Sequence, residues 1–201
     1  MTRMNALRQA TTARADAARF TIRAERGSDV AAREALLDAS FGENRHARTC
    51  QRLRDGHVPA ECLAFTAVQR GRLVGTVRLW HVSAGGVPAL VLGPLAVARG
   101  CRKLGIGAAL MQHALSAAKA RGHGAVILLG DAAYYSRFGF SAEKTGELFL
   151  PGPFERERLL GLALRDGALD GAWGMIVSTG KTARARSRLA GRARQLAPQL
   201  A

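Results

Sequence analysis

The stretch LAVARGCRKLGIGAALMQHAL, Leu95 to Leu115, carries the reading that decides the fold. A short apolar run gives way to Arg-Gly-Cys-Arg-Lys-Leu-Gly-Ile-Gly and then resumes at helical spacing. Gly105 and Gly107 remove side chains where a loop must turn and let backbone N–H groups come close to a ligand. The helix that follows adds the positive end of its dipole, and Arg102 and Lys103 add full charges, so the loop suits a phosphate or pyrophosphate. From Ile106 onward, Ile106, Leu110, Met111, Leu115 and Ala118 share one face while Gln112, Ser116 and Lys119 lie opposite, the pattern of a helix packed on a sheet. Two glycines can also make a plain strand-to-helix connection. The Walker pattern is absent, and the dinucleotide pattern fails because Leu110 stands at its third glycine.

Working outward, FTIRAER (Phe20 to Arg26) alternates as a strand does, and Ser28 offers an N-cap for a helix through about Ala39. A second helical patch is expected over about Asn44 to Arg54, with Arg45, Arg48, Arg52 and Arg54. CLAFTAVQ, Arg70-Gly71-Arg72 and LVGTVRLWHVS read as a hairpin of two strands around a glycine turn. PALVLGPLAV (Pro88 to Val97) is a strand interrupted at Gly93-Pro94, where proline argues for an edge, a bulge or a splay. AVILLGD (Ala125 to Asp131) is a near-continuous apolar run that suits a strand buried on both faces. The order is strand, helices, three strands, helix, strand, short helix, strands: a mixed α/β domain with at least one strand-helix-strand crossover.

Composition bounds what this domain is. The 201 residues, 48% hydrophobic but only 5% aromatic, suffice for one domain with a core of Ala, Leu and Val. No apolar run reaches the roughly 18 residues of a membrane-spanning helix, and the Arg-, Thr- and Ala-rich N-terminus lacks a secretory hydrophobic segment. That N-terminus superficially suits an organelle transit peptide, but the same bias runs through the whole chain. Cys50, Cys62 and Cys101 are odd in number and form no CxxC pair, which points to a reducing cytoplasm rather than a disulfide framework or a zinc site. The net charge of +15 is concentrated at the ends: +3 in residues 1–19 and +6 in residues 181–201. The expected organisation is therefore a basic extension (1–19), a single folded domain (20–180) and a basic tail (181–201). Such tails are usually solvated, although they also attract phosphates or an anionic surface.

A second stretch, LLGDAAYYSRFGF (Leu128 to Phe140), follows the buried strand with a short helical turn bearing two tyrosines, then Arg137 and Phe-Gly-Phe leading to a new strand. Together, RKLGIG and YYSRFGF resemble the two hallmark motifs of the GNAT superfamily of acetyl-coenzyme A-dependent N-acetyltransferases. The first is similar to its [Q/R]-x-x-G-x-[G/A] loop at Arg102, Gly105 and Gly107. The second resembles its Y-x-[K/R]-x-G-F helix at Tyr135, Arg137, Gly139 and Phe140. LGPLAV, this loop and the tyrosine stretch look closest to small bacterial members of the superfamily.

The resemblance implies a mostly antiparallel central sheet flanked by helices, with a splay beside the strand that meets the cofactor. It implies that the pantetheine arm bonds to the backbone near Leu95 and Val97 and that Arg102, Lys103, Gly105, Gly107 and Ala108 hold the pyrophosphate. Gly93-Pro94 is a local reason for the splay. Arg99 stands where relatives often carry Pro, and Asp131 where many carry Asn. Tyr135 occupies the general-acid position, leaving Tyr134 as a packing aromatic.

The implied reaction needs a proton taken from an amine whose pKa is about 10.4, a donor for the oxyanion, here an N–H near Val97, and a proton for a thiolate of pKa about 8.5. For the base, Glu43, Glu61, His81 and Asp131 are all conceivable, with His81 best matched by its ordinary pKa. His113 and His123 read as solvated, Trp80 and Trp173 as core or edge packing, and Cys101 as a passive neighbour. The expected partners are acetyl-CoA and an unidentified amine, with no metal. Two other readings stay open: a coenzyme A-binding regulatory module with little catalysis, and a nucleic-acid- or ribosome-associated protein acting through its basic ends. An edge strand near the C-terminus could pair two copies into a homodimer.

Overall fold

The computed structural model describes residues 20–183. The expectations placed on 1–19 and 184–201 lie outside the described residues. In chain order the elements are β1 (Thr21–Ala24), α1 (Val30–Phe41), β2 (Ala64–Gln69), β3 (Arg72–Ala84), β4 (Val87–Leu92), β5 (Ala96–Val97), α2 (Ile106–Ala120), β6 (Ala125–Leu129), α3 (Ala132–Tyr135), β7 (Leu148–Phe149), β8 (Leu159–Ala163) and β9 (Gly174–Ser178).

The sheet runs β1-β2-β3-β4-β6-β8, with β5 and β9 also paired to β3 and β7 paired to β9. Every pairing is antiparallel except β4 with β6 and β7 with β9. The parallel β4–β6 pair brackets α2, which is the crossover expected from the sequence. The β2–β3 hairpin turns at Arg70 and Gly71, both at positive φ (49° and 74°), as a tight primed turn requires.

Period-two alternation sorts the strand residues onto two faces. Val77, Leu79, Leu90, Leu92, Val126 and Leu128 join Ile106, Leu110, Met111, Ala114 and Ala118 of α2 in one core. Trp80, Val82, Ala84, Ala89, Val91, Ala125 and Ile127 turn to the other face and meet Leu148, Leu159 and Ile176. Strand β6 thus contributes to both cores, as its unbroken apolar run requires. The close seat of α2 depends on Gly75: a Cβ there would lie 2.9 Å from Leu110 Cδ1 and 3.1 Å from Ile106 Cγ2. Helix α1 packs through Leu36 and Leu37 against Ala96 of β5.

Three local expectations are corrected. The first helix is preceded by a 3-10 turn at Gly27–Asp29, and Asp29 rather than Ser28 takes the backbone bond, accepting from the Arg26 N–H at 2.8 Å. The patch at Asn44 to Arg54 is not one helix but two 3-10 turns, Glu43–Ala47 and Thr49–Gln51. Its polar side chains reach away from the local backbone: Thr49 donates to the Pro153 carbonyl and Arg52 to that of Pro151. The strand expected after Phe140 is only a bridge between Ser141 and Gly161.

Candidate active site

At Gly93-Pro94 the chain leaves β4. Strand β4 continues the sheet toward β6 through Leu90 and Val91, whereas β5 stays with β3, Gly75 opposite Val97 and Thr76 opposite Ala96. Among the described residues nothing pairs with the far edge of β5, so a wedge opens between β5 and β6. The Ala98 N–H donates to the Val74 carbonyl at 2.8 Å. Antiparallel pairs alternate between bonded and non-bonded, so Ala98–Val74 being bonded makes Val97–Gly75 non-bonded. The Val97 N–H and carbonyl therefore face the wedge, where β6 would have met them in an unbroken sheet.

Helix α2 begins at the mouth of this wedge. Its N-cap is Gly105, left-handed at φ 78°, and no side chain bonds to the first-turn donors. The N–H groups of Ile106, Gly107 and Ala108 have no partner one turn back, as at any helix start. Lys103 is also at positive φ, 69°, which curls the loop toward the helix. Gly107 is needed for space: a Cβ there would lie 3.1 Å from the Tyr134 hydroxyl and 3.7 Å from Val97 Cγ2. Arg102, Lys103, Leu104 and Gly105 are exposed.

Two adjoining cavities occupy the wedge. The smaller, about 240 Å³, is lined by Val97, Arg102, Gly107 and both tyrosines. The larger, about 590 Å³, lies between the 3-10 segment, the Gly93-Pro94 bend and the loop at Pro153–Arg158. Phe41, Leu95 and Tyr135 line both. Tyr135 thus stands at the junction, and Tyr134 lines only the smaller.

The tyrosine turn is set by Asp131, whose carboxylate accepts from the Ala133 N–H at 3.0 Å and so serves α3 as its cap. The two rings meet edge to face with centroids 4.9 Å apart, and Tyr135 also meets Phe140. The Arg137 guanidinium lies 4.2 Å from the Tyr134 ring centroid and donates to the Tyr134 carbonyl, holding that ring over the loop. Burial, with smaller contributions from Tyr134 and Asp131, pushes the Tyr135 phenol up to about 12.

The wedge brings together Leu95, Val97, Arg102, Gly107 and Tyr135. Glu43, Glu61, His81 and Asp131, the four carboxylate and imidazole groups conceivable as base, line neither cavity. His81 instead faces His123 at 5.4 Å between ring centroids, and burial together with His81 lowers the His123 pKa. His113 is exposed but set edge-on to Phe65. The Cys101 thiol points to Gln69 Oε1 at 3.4 Å. Trp80 is buried, its indole N–H donating to the Gly93 carbonyl at 2.6 Å, so it anchors the bend. Trp173 is 69% exposed, which corrects its reading as a packed residue.

Residues 30–140 match the family described as the Acetyltransferase (GNAT) family. The chain belongs to this GNAT family. It is 32% identical over 158 residues, 77% of this chain and 93% of its relative, to the uncharacterized N-acetyltransferase YhbS of Escherichia coli strain K12. The crystal structure of YhbS in complex with CoA has a TM-score of 0.69 at 30% identity, covering 80% of this chain and 90% of that one. A GNAT family acetyltransferase from Brucella melitensis in complex with acetyl-CoA shares the fold at a TM-score of 0.61 and 24% identity, covering 80% and 96%. Among the described residues no helix is long and apolar enough to cross a membrane.

Three residues at these cavities carry no motif and escape a reading of the sequence. Gly130 has no room for a Cβ, which would lie 2.2 Å from Tyr135 Cε2. Arg54 and Glu155 line the larger cavity from segments far apart in the chain. Nothing in local composition marks them.

Proposed function

We propose that this protein is an N-acetyltransferase that moves an acetyl group from acetyl-CoA to a primary amine by direct attack within a ternary complex. The observation that carries the reading is the wedge itself, with the outward backbone of Val97 on one wall, the uncapped start of α2 at its mouth and Tyr135 at its inner junction. These features fit the cosubstrate: a long polar amide arm needs a strand edge, and a pyrophosphate needs free N–H donors beside positive charge.

The N–H groups of Ile106, Gly107 and Ala108, with Arg102, Lys103 and the turn at Gly105, hold the pyrophosphate. The backbone at Leu95 and Val97 binds the pantetheine arm as an added strand would be bound. Acetyl-CoA supplies the acetyl group already activated as a thioester. The Val97 N–H is the donor for negative charge developing on the carbonyl oxygen. The acceptor enters through the larger cavity; its nitrogen forms the new C–N bond as the C–S bond breaks, and its proton is lost as the sulfur becomes a thiol. Tyr135, which lines both cavities, faces that sulfur in this reading. A phenol near 12 stays protonated at working pH but is a weaker acid than a thiol of about 8.5, so Tyr135 acts by donating a hydrogen bond to the departing sulfur.

The test is isothermal titration with acetyl-CoA, with ATP and NADH as controls, on the wild type and on Gly105→Glu. Binding of acetyl-CoA alone, abolished in the variant, supports the reading, and thiol release with a panel of amines then tests turnover. Absence of binding would leave the glycines as a turn and overturn it.

A further inference from the structure

The wall of the larger cavity is unusually rich in arginine. Arg45, Arg48, Arg54 and Arg158 line it against a single carboxylate, Glu155. Two of the four are already neutralised. Arg45 pairs with Glu34 and with Asp38, and Arg158 lies 3.5 Å from Glu155. Arg48 stacks 5.1 Å over the Phe41 ring and, among the described residues, reaches only a backbone carbonyl.

Arg54 differs from all of these. It follows Leu53, which is buried in the second core, and its guanidinium lies against the bend, Nη1 being 3.4 Å from where a Cβ of Gly93 would stand. Its Nε is buried without a hydrogen-bond partner. Among the described residues no carboxylate lies within ion-pair distance of it, Asp55 acting only through its charge, whereas Arg23 and Arg78 each pair with one carboxylate and Arg33 with two. Burial lowers its pKa from the ordinary arginine value, but a guanidinium so far above neutrality stays charged. A mostly buried cation whose Nε has no partner and that makes no ion pair among the described residues is costly unless something else in the cavity adds negative charge.

Building on the acetyltransferase reading above, we propose that the acceptor amine carries a compact acidic group, a carboxylate or a phosphate, which Arg54 binds as a planar fork with Arg48 adding a second positive charge. Arg54 lines the larger cavity and not the smaller one, so its anion belongs to the acceptor and not to the pyrophosphate. The cavity of about 590 Å³ holds a molecule of amino-acid to nucleoside size. With the acid fixed at Arg54 near the bend, the amine end of the acceptor is directed toward the junction at Tyr135.

The experiment has a binding arm and a transfer arm, run at constant ionic strength on the wild type, Arg54→Gln and Arg54→Lys. Succinate and inorganic phosphate are titrated calorimetrically with and without coenzyme A. Transfer is followed by thiol release with β-alanine against β-alaninamide and with phosphoethanolamine against ethanolamine. The expected result is that at least one of the two anions binds, at least ten-fold more weakly to Arg54→Gln, with Arg54→Lys in between. The amine bearing that anion is preferred at least ten-fold in kcat/KM over its neutral partner, and Arg54→Gln erases the preference while acetyl-CoA affinity is retained. Which pair shows it tells carboxylate from phosphate. Binding of neither anion, equal binding by Arg54→Gln, or a preference for the neutral amines would overturn the proposal. Loss of acetyl-CoA affinity in Arg54→Gln would overturn it too, by assigning Arg54 to the cosubstrate. Failure of the wild type to bind acetyl-CoA would instead overturn the acetyltransferase reading, whatever the anions do.

Discussion

Gly130 and Tyr135 are packed so closely that one added carbon has no place: a Cβ on Gly130 would lie 2.2 Å from Tyr135 Cε2 and 2.7 Å from Cδ2. The ring fills the space that the missing side chain leaves at the end of β6, so the orientation of the phenol depends on a residue five positions earlier. Gly130→Ala must push the ring aside, because the obstacle is a stiff aromatic edge and not the free end of a flexible chain. Such overpacking costs about 1–3 kcal/mol. The expected outcome is a melting temperature lowered by a few degrees and kcat reduced about ten-fold or more, with the acetyl-CoA dissociation constant much less affected. Unchanged kcat would mean that the ring position does not matter to the reaction.

The two tyrosines should separate kinetically. Tyr135 lines both cavities, and Tyr134 lies against Gly107 at the start of α2. In the proposed mechanism Tyr135→Phe removes a hydrogen bond to the leaving sulfur, and it should lower kcat about ten- to a hundred-fold while the chain stays folded. Tyr134→Phe should act mainly on the KM for acetyl-CoA. Because burial holds the Tyr135 phenol near 12, its ionisation gives no alkaline decline in rate below about pH 11. An alkaline limb near pH 10 that vanishes in Tyr135→Phe would contradict this assignment.

The acid limit of stability has a local contribution at Asp29. Its carboxylate receives Arg23 at 2.6 and 2.8 Å and the Arg26 N–H at 2.8 Å, and the Arg23 bond is the largest cause that holds its pKa at about 2 against an ordinary 3.8. A lowered carboxylate pKa means the folded state binds the proton less readily than the unfolded one. Its stabilisation is therefore complete above about pH 4 and is lost as the pH falls toward 2. Arg23 is part-exposed, so solvent screening limits the contribution to about 1 kcal/mol. Asp29→Asn should lower the melting temperature at pH 7 and flatten its dependence on pH between 4 and 2, as denaturation followed by circular dichroism would read.

Much of the site is legible in sequence because its parts are local. The turn at Gly105, the amphipathic face of α2 and the double burial of β6 each follow from a few neighbouring residues, and all appear where the pattern puts them. Gly93-Pro94 marks a break in the ladder. The residues alone leave edge, bulge and splay open; the family resemblance implies the splay, and the pairing of β5 with β3 and of β4 with β6 selects it. The 3-10 segment at Glu43–Gln51 misleads because arginines at 45, 48, 52 and 54 mimic helical spacing. The guanidiniums of Arg45, Arg48 and Arg52 are spent on Glu34, Asp38, the Phe41 ring and Pro151, partners outside any local window. Gly130 and Arg54 are invisible for the same reason: what matters at each is a contact made by the fold.

The loop glycines make the last prediction, since Gly105 and Gly107 are required for different reasons. Gly105 stands in open space at φ 78°, so alanine there clashes with nothing and costs only the left-handed backbone, about 1 kcal/mol. Gly107 has an ordinary φ, but its Cβ would lie 3.1 Å from the Tyr134 hydroxyl. Gly105→Ala should therefore weaken acetyl-CoA binding modestly, by less than about ten-fold, through a loosened turn. Gly107→Val should weaken it more, because two further methyl groups enter the smaller cavity between Tyr134 and Val97. Pairing Gly107→Val with Tyr134→Ala restores the space, and titration of acetyl-CoA should show part of the affinity returning. No recovery in the double variant would mean that the glycine is needed for its backbone rather than for the room it leaves.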